Sequence, residues 1–200
     1  MTFLFDIGRV LLDFDFETSL SRLLPADVSD PHERLSRLLA KKDDFESGAI
    51  EPDAYIAWAL ETLGSEATPD DFRAAWRDIF TPNEPMWDLV RALRARGAHR
   101  LFMLSNTNGI HCPWVFDEYP EFRHFDGGVL SYQVGMIKPD PAIYHHTIAH
   151  CGLLPEETIF IDDMEENIRS ARGIGFRCFH YDLKRHDEFR DWLSAQVPDL

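Results

Sequence analysis

Four separated clusters of polar side chains hold the chemistry open to this chain: Asp6, Ser105-Asn106, Lys138 before Pro139, and Asp162-Asp163 with Asn167 close behind. Three of them terminate apolar, β-prone runs: Phe3-Leu4-Phe5 leads into Asp6, Arg100 to Leu104 into Ser105, and Thr158 to Ile161 into Asp162. A carboxylate abutting a buried strand is costly unless something pairs with it, ligates it or uses it. Two or three gathered carboxylates repel one another unless a divalent cation sits between them. Magnesium suits such a set, because it takes one or two carboxylates, waters and a substrate phosphate oxygen. A carboxylate that holds the ion with one oxygen can attack phosphorus with the other. A serine hydroxyl, an asparagine and a lysine would then hold the non-reacting phosphoryl oxygens. Gly8, two residues past Asp6, allows a sharp turn and close approach of the backbone to a ligand. Singly, each cluster has a commoner fate: a turn for Ser105-Asn106, a surface charge for Lys138, a helix N-cap for Asp162-Asp163. Together, in this order, they point to a site.

Such residues need a scaffold that brings distant strand ends to one edge. From Met86 onward helical and strand patterns alternate: an apolar stripe at Met86, Leu89, Val90 and Leu93, then the strand into Ser105. Next come a helical stretch from about Ile110 to Phe125, a weaker strand from Gly128 to Tyr132, and a helix from Pro141 to Cys151. The strand into Asp162 follows, then a helix from Asn167 to Arg172 closed by Gly173, a strand from Phe176 to Tyr181, and a last helix from Glu188 to Leu193. This alternation predicts an α/β fold with a doubly wound parallel sheet. A parallel topology puts all three strand-end clusters on one edge, where ligands bind in open sheets. Leu11 to Phe16 reads as a short extended or hairpin-like excursion. Between about Glu17 and Phe80 no good strand occurs, and Asp30-Pro31 and Thr68-Pro69-Asp70-Asp71 read as helix starts. The expected organisation is therefore an α/β core from residues 1–15 and 84–200, with a small all-helical unit at 16–83.

Composition narrows the partners. The 200 residues suit one domain, or one with an insertion. A net charge of −15 repels nucleic acid and anionic lipid, so a phosphorylated substrate must be drawn by a local site. Cys112, Cys151 and Cys178 form no CxxC pair and read as buried reduced thiols. With no apolar run of membrane-span length and no basic, cleavable leader, a cytoplasmic location is expected.

In their order, the Asp6 motif, Ser105-Asn106, Lys138-Pro139 and Asp162-Asp163 with Asn167 resemble the haloacid dehalogenase (HAD) superfamily of phosphohydrolases. The match spans about two-thirds of the chain. The wording Phe5-Asp6-Ile7-Gly8-Arg9-Val10, Leu104-Ser105-Asn106-Thr107-Asn108, Glu118-Tyr119-Pro120 and Gly135-Met136-Ile137-Lys138-Pro139 is similar to a bacterial branch containing α-glucose-1-phosphate phosphatases. The same wording stands near the phosphatase domain of soluble epoxide hydrolases. The resemblance implies a Rossmann-like core with a small C1-type helical cap. It makes Asp6 the nucleophile that forms an aspartyl-phosphate. Magnesium would be held by Asp6, the Gly8 carbonyl and Asp163, with Asp162 close by, and the phosphoryl group by Ser105, Asn106 and Lys138.

One position departs from that pattern. Most family phosphatases carry a general acid/base Asp two residues after the nucleophile, where this chain has Gly8. Such proton transfer is typically worth about 10²–10⁴ in rate. A cap residue, a metal-ordered water, or Asp13 or Asp15 would have to stand in, or the leaving group must need less help, as in a sugar 1-phosphate. Phe45, Glu46, Tyr55 and Trp58 are cap candidates for substrate contact, though their helical spacing also suits a cap interior. The expected activity is magnesium-dependent hydrolysis of a small phosphomonoester such as a sugar phosphate. The competing readings are a haloacid dehalogenase, which needs no metal, and a non-catalytic phosphate-ligand binding protein, for which Gly8 speaks.

Overall fold

The computed structural model describes residues 1–197. Five parallel strands form the central sheet: β1 (Thr2–Phe5), β4 (Arg100–Ser105), β5 (Gly127–Leu130), β6 (Thr158–Asp162) and β7 (Arg177–His180), in the order β5-β4-β1-β6-β7. Two short strands, β2 (Leu12–Phe14) and β3 (Phe80–Pro82), pair antiparallel beside it. Side chains alternate across each strand, and both faces of the sheet are covered, so the strands read as continuous apolar runs. Phe3, Phe5, Leu101, Met103, Ile159 and Ile161 pack on one face against the Glu84–Arg96 and His186–Gln196 helices. Leu4, Phe102, Leu104 and Phe160 pack on the other against the Pro141–Cys151 and Glu165–Ile174 helices. The doubly wound α/β expectation is borne out.

Order in the sheet decides where the chemistry goes. The chain builds outward from β1 through β4 to β5, then returns to lay β6 on the other side of β1. The order therefore reverses between β1 and β6, and a crevice opens there at the carboxyl ends of the strands. Register aligns Phe5 with both Met103 and Ile161, so Asp6 lies level with the ends of its neighbours.

The excursion after β1 is half of the β2–β3 ribbon, whose partner arrives 66 residues later in the register Phe14↔Phe80. Sequence gives no sign of so distant a partner. From this ribbon rises a set of helices: Phe16–Leu20, Pro31–Arg37, Lys42–Glu46, Pro52–Leu63 and Pro69–Arg77. They enclose an apolar cluster of their own, built on Leu20, Phe45, Tyr55, Phe72 and Trp76, with Ile110 contributed from the sheet side. Thr68 and Asp71 cap the last of these helices reciprocally, as their spacing predicts. Asp30 does precede the Pro31 helix, but its carboxylate pairs with Arg34 at 3.1 Å instead of capping.

Two boundaries differ from expectation. The helix after β6 runs over Gly173 and closes at Gly175, whose φ of 110° suits the left-handed closing position. Ser131 and Tyr132, expected at the end of a strand, instead open the helical turn Ser131–Val134. All three cysteines are buried and unpaired. No helix among the described residues is long and apolar enough to cross a membrane.

Asn83, next to β3, locks ribbon to core. Its Nδ2 donates to Val10 O at 2.6 Å and to Tyr181 Oη at 2.9 Å, inside a buried site. Asn83→Ala strands the buried Val10 acceptor, which costs about 1–3 kcal/mol. Thermal unfolding should fall by about 2–4 °C for each kcal/mol lost. An unchanged transition would show that this clasp does not bind the ribbon to the core.

Candidate active site

The Asp6 backbone N–H continues the β1–β6 ladder by donating to Ile161 O at 2.9 Å. Its side chain thus stands at the crevice, where Oδ1 accepts from its neighbour's backbone, Ile7 N, at 2.7 Å. Lys138 reaches the same oxygen at 3.0 Å. The ammonium also donates to Asp162 Oδ2 at 2.6 Å and to Leu104 O at 3.0 Å. Two hydrogen bonds and the ion pair with Asp6 thus surround this buried lysine. Asp162 accepts on its other oxygen from Met164 N at 2.8 Å and Asn167 Nδ2 at 2.9 Å. Asp163, half-buried, lines the same cleft. One carboxylate oxygen from each of Asp6, Asp162 and Asp163 lies within 4.8 Å of the others.

Ser105 and Asn106 divide their work in a way the sequence does not reveal. The Asn106 amide closes a two-bond clasp on the lysine loop, donating to Lys138 O at 2.9 Å and accepting from Lys138 N at 2.8 Å. That amide fixes where Lys138 stands. The Ser105 hydroxyl makes only a long 3.4 Å contact with Asn106 O, which leaves it ready for a ligand on the cleft wall. Gly8 lines the cleft as expected, but the left-handed residue of the turn is Arg9, at φ 56°. Arg9 is held there by an ion pair with Asp13 and by the Phe14 ring, 4.4 Å from its guanidinium carbon.

The cleft has a volume of about 280 Å³ and runs between the sheet edge and the helices above it. A larger hollow of about 840 Å³ lies between the Glu84–Arg96 and His186–Gln196 helices, but it gathers none of the four clusters. Neither Asp13 nor Asp15 lines the cleft: Asp13 is bound to Arg9 and Phe14 N, and Asp15 caps Thr18. Of the four cap candidates only Glu46 lines it. Phe45 and Tyr55 stack on each other at 4.0 Å in the cap interior, and Trp58 lies under Lys41. Sequence reasoning missed three neighbours. His111 lines the cleft with both nitrogens engaged, Nδ1 with Asn108 Nδ2 at 3.1 Å and Nε2 with Trp76 O at 3.0 Å, tying sheet to cap. Burial holds its pKa down at about 3, so the ring stays neutral. Ser131 bridges the Thr107 backbone to the cap. Asn108 orients His111. No spacing pattern marks such through-space partners.

Three carboxylates face one ammonium here, so ionised they leave an uncompensated negative charge in a poorly solvated cleft. Burial pushes Asp6 up to about 7, with Lys138 opposing and Asp162 and Asp163 reinforcing. Burial, then Asp162, pushes Asp163 up to about 6. Lys138 loses by burial but gains more from Asp162 and Asp6, so its pKa is raised and it stays charged. A divalent cation among these oxygens removes the deficit, and an all-oxygen donor set is what magnesium takes. The residues present therefore fit that ion.

A model of the haloacid dehalogenase-like hydrolase family matches residues 1–175. A D-ribitol-5-phosphate phosphatase of Bacteroides thetaiotaomicron is 28% identical over 185 residues, covering 88% of both chains. A HAD-like hydrolase structure from Porphyromonas gingivalis superposes with a TM-score of 0.75 at 30% identity, covering 98% of this chain and 96% of that one. A HAD family enzyme from Bacteroides thetaiotaomicron, solved with magnesium and inorganic phosphate, gives 0.74 at 27% identity over 89% and 92% of the two chains. With the strand-end carboxylates, the lysine and the sheet order all in place, this chain belongs to the haloacid dehalogenase-like hydrolase family.

Proposed function

We propose that the protein is a magnesium-dependent phosphomonoester hydrolase acting on a small phosphorylated metabolite, a sugar or polyol phosphate, through an aspartyl-phosphate on Asp6. The observation that carries this reading is the convergence of Asp6, Asp162 and Asp163 around one buried lysine at the sheet's crevice. A haloacid dehalogenase needs no metal and would gain nothing from that excess of carboxylates. The cleft, at about 280 Å³, suits a small ligand and not a polymer. The ribitol-5-phosphate phosphatase relative supports a polyol or sugar phosphate as the substrate class. A sugar 1-phosphate is one member of that class.

In this reading Asp6, the Gly8 carbonyl and Asp163 hold the metal, with Asp162 next to them. Magnesium supplies positive charge that keeps the carboxylates ionised and offsets charge on the phosphoryl oxygens. Asp6 attacks phosphorus with its free oxygen, in line with the departing alkoxide. Lys138, immobilised by Asp162, Leu104 O and the Asn106 clasp, presents a fixed charge to the phosphoryl group. The Ser105 hydroxyl donates to a phosphoryl oxygen. Because these groups are already oriented, little reorganisation is left for the reaction itself. The helical unit over residues 16–83 acts as a cap that covers the cleft and selects the substrate.

Two outcomes test this. Phosphate release from p-nitrophenyl phosphate should require magnesium and fall by at least about 10³ in Asp6→Asn, an amide that cannot form the acyl-phosphate; activity that survives either chelation or the substitution would refute the reading. The second concerns stability without metal. A carboxyl whose native pKa is raised favours the folded state while protonated, and that benefit drains away as pH rises from the ordinary value near 3.8 to about 7. Asp6→Asn mimics the protonated form. In chelator it should therefore be more stable than wild type at neutral pH, with the gap closing towards pH 4, and magnesium should narrow the gap by stabilising wild type. A gap that does not change with pH would contradict the charge assignment.

A further inference from the structure

The position where a general acid/base would normally follow Asp6 carries no side chain, and a Cβ on Gly8 would lie 3.1 Å from Phe14 Cε1, tight enough that the ring would have to give way by a few tenths of an ångström. His111 is held neutral with both ring nitrogens engaged. Outside the metal cluster, the carboxylates on the cleft wall are Asp43, Glu46 and Glu166. Asp43 and Glu166 are exposed residues in the first turns of their helices. Glu46 differs on each count.

Its side chain is only 14% exposed. Oε2 is ion-paired with Lys42 Nζ at 2.8 Å and has no other polar partner. The turn that carries it is pinned to the catalytic edge. Ser131 Oγ donates to Glu46 O and accepts from Thr107 N at 2.9 Å, two residues past Ser105. Gly48, at φ 75°, presses so close to Tyr132 that a Cβ would stand 2.4 Å from its carbonyl oxygen. Only glycine permits that approach, so the docking of cap on core at this point is built in. Burial raises the Glu46 pKa against the pull of Lys42, with Asp43 adding to the rise and Lys138 opposing it. Tyr55 is close by, and burial keeps its hydroxyl neutral.

We propose that Glu46, supplied by the cap, is the general acid and base of the reaction in place of a residue at position 8. The assignment rests on the phosphatase reading above. As the Asp6 oxygen bonds to phosphorus and the bond to the leaving oxygen breaks, the Glu46 carboxyl gives its proton to that oxygen and an alcohol departs. Water then attacks phosphorus and passes a proton to the Glu46 carboxylate. The bond from phosphorus to Asp6 breaks, and inorganic phosphate leaves with both carboxyl groups restored. Because the acid arrives with the cap, cleavage proceeds only when cap and core are docked through Ser131 and Gly48. Lys42, paired with Glu46 one helical turn away, is a positioning residue.

The test compares wild type with Glu46→Gln, which keeps the shape and loses the proton. Single-turnover phenol release is measured from phenyl, p-nitrophenyl and dinitrophenyl phosphate with magnesium. Wild type should vary little across the series. Glu46→Gln should lose about 10²–10³ on phenyl phosphate but less than about tenfold on dinitrophenyl phosphate, whose leaving group needs no proton. With substrate in excess it should also release a burst of one dinitrophenolate per chain, because hydrolysis of the aspartyl-phosphate lacks its base. Equal loss across the series, or none, would overturn the assignment. Glu46→Ala guards against a purely structural loss: added formate should restore much of its phenyl phosphate rate, and failure to do so counts against Glu46. Should wild type release no phenol from any of the three, or Asp6→Asn match it, the phosphatase reading itself fails and this assignment falls with it.

Discussion

Lys138 sits buried between two carboxylates with a third close by, and that imbalance of charge shapes the rest of the molecule. Removing charges from water costs several kcal/mol per ion, and pairing returns the cost only when every donor and acceptor is satisfied. Lys138 comes close to that condition, with hydrogen bonds to Asp162 and Leu104 O and an ion pair with Asp6. Asp162 meets it through Lys138, Met164 N and Asn167. Asp6 and Asp163 do not, and their elevated pKa values express the shortfall. A site left short of positive charge is a site prepared for a cation and an anionic substrate together.

The fold's contribution is to make that costly arrangement rigid. Strand β1 occupies the centre of the sheet, and the reversal of strand order between β1 and β6 opens the crevice where Asp6 and Asp162 emerge side by side. Both sheet faces are sealed by apolar side chains, so the strand ends have no slack. The lysine comes from a loop, a less rigid element, and Asn106 compensates by clasping that loop's backbone. The helical unit joins the core at the β2–β3 ribbon, at the His111 bond to Trp76 O, and at the Ser131 bond to Glu46 O beside the close approach of Gly48 to Tyr132. These hold the roof of the cleft in register with its floor.

The parts of this design legible in the sequence were those written locally. Apolar runs ending in Asp6, Ser105 and Asp162 announce strand ends, and alternation with helical stripes announces a parallel sheet, so the shared edge follows from pattern alone. Partnerships made through space left no such trace. Asn106 reads as a phosphate ligand, and the structure adds that its amide clasps the Lys138 backbone through its oxygen and one N–H. Gly8 reads as the hinge of the turn, whereas Arg9 takes the left-handed conformation, held by Asp13 and Phe14. Asp13 and Asp15 are close to Asp6 in sequence but directed elsewhere, while Glu46 is forty residues away and lines the cleft. Ser131 reads as the end of a strand because β-prone residues precede it; the helical turn forms so that its hydroxyl can reach both Thr107 and the cap.

Asp6 and Asp163 bind protons more readily than usual, and a divalent cation held among them would displace those protons. Calorimetric titration of magnesium into the metal-free protein, repeated in buffers of different ionisation heat, counts those protons directly. Near pH 6.5, between the values of about 6 for Asp163 and about 7 for Asp6, one ion should bind per chain with net release of protons, and the release should fade towards pH 8.5. Binding that releases no protons at any pH, or no binding, would contradict the account.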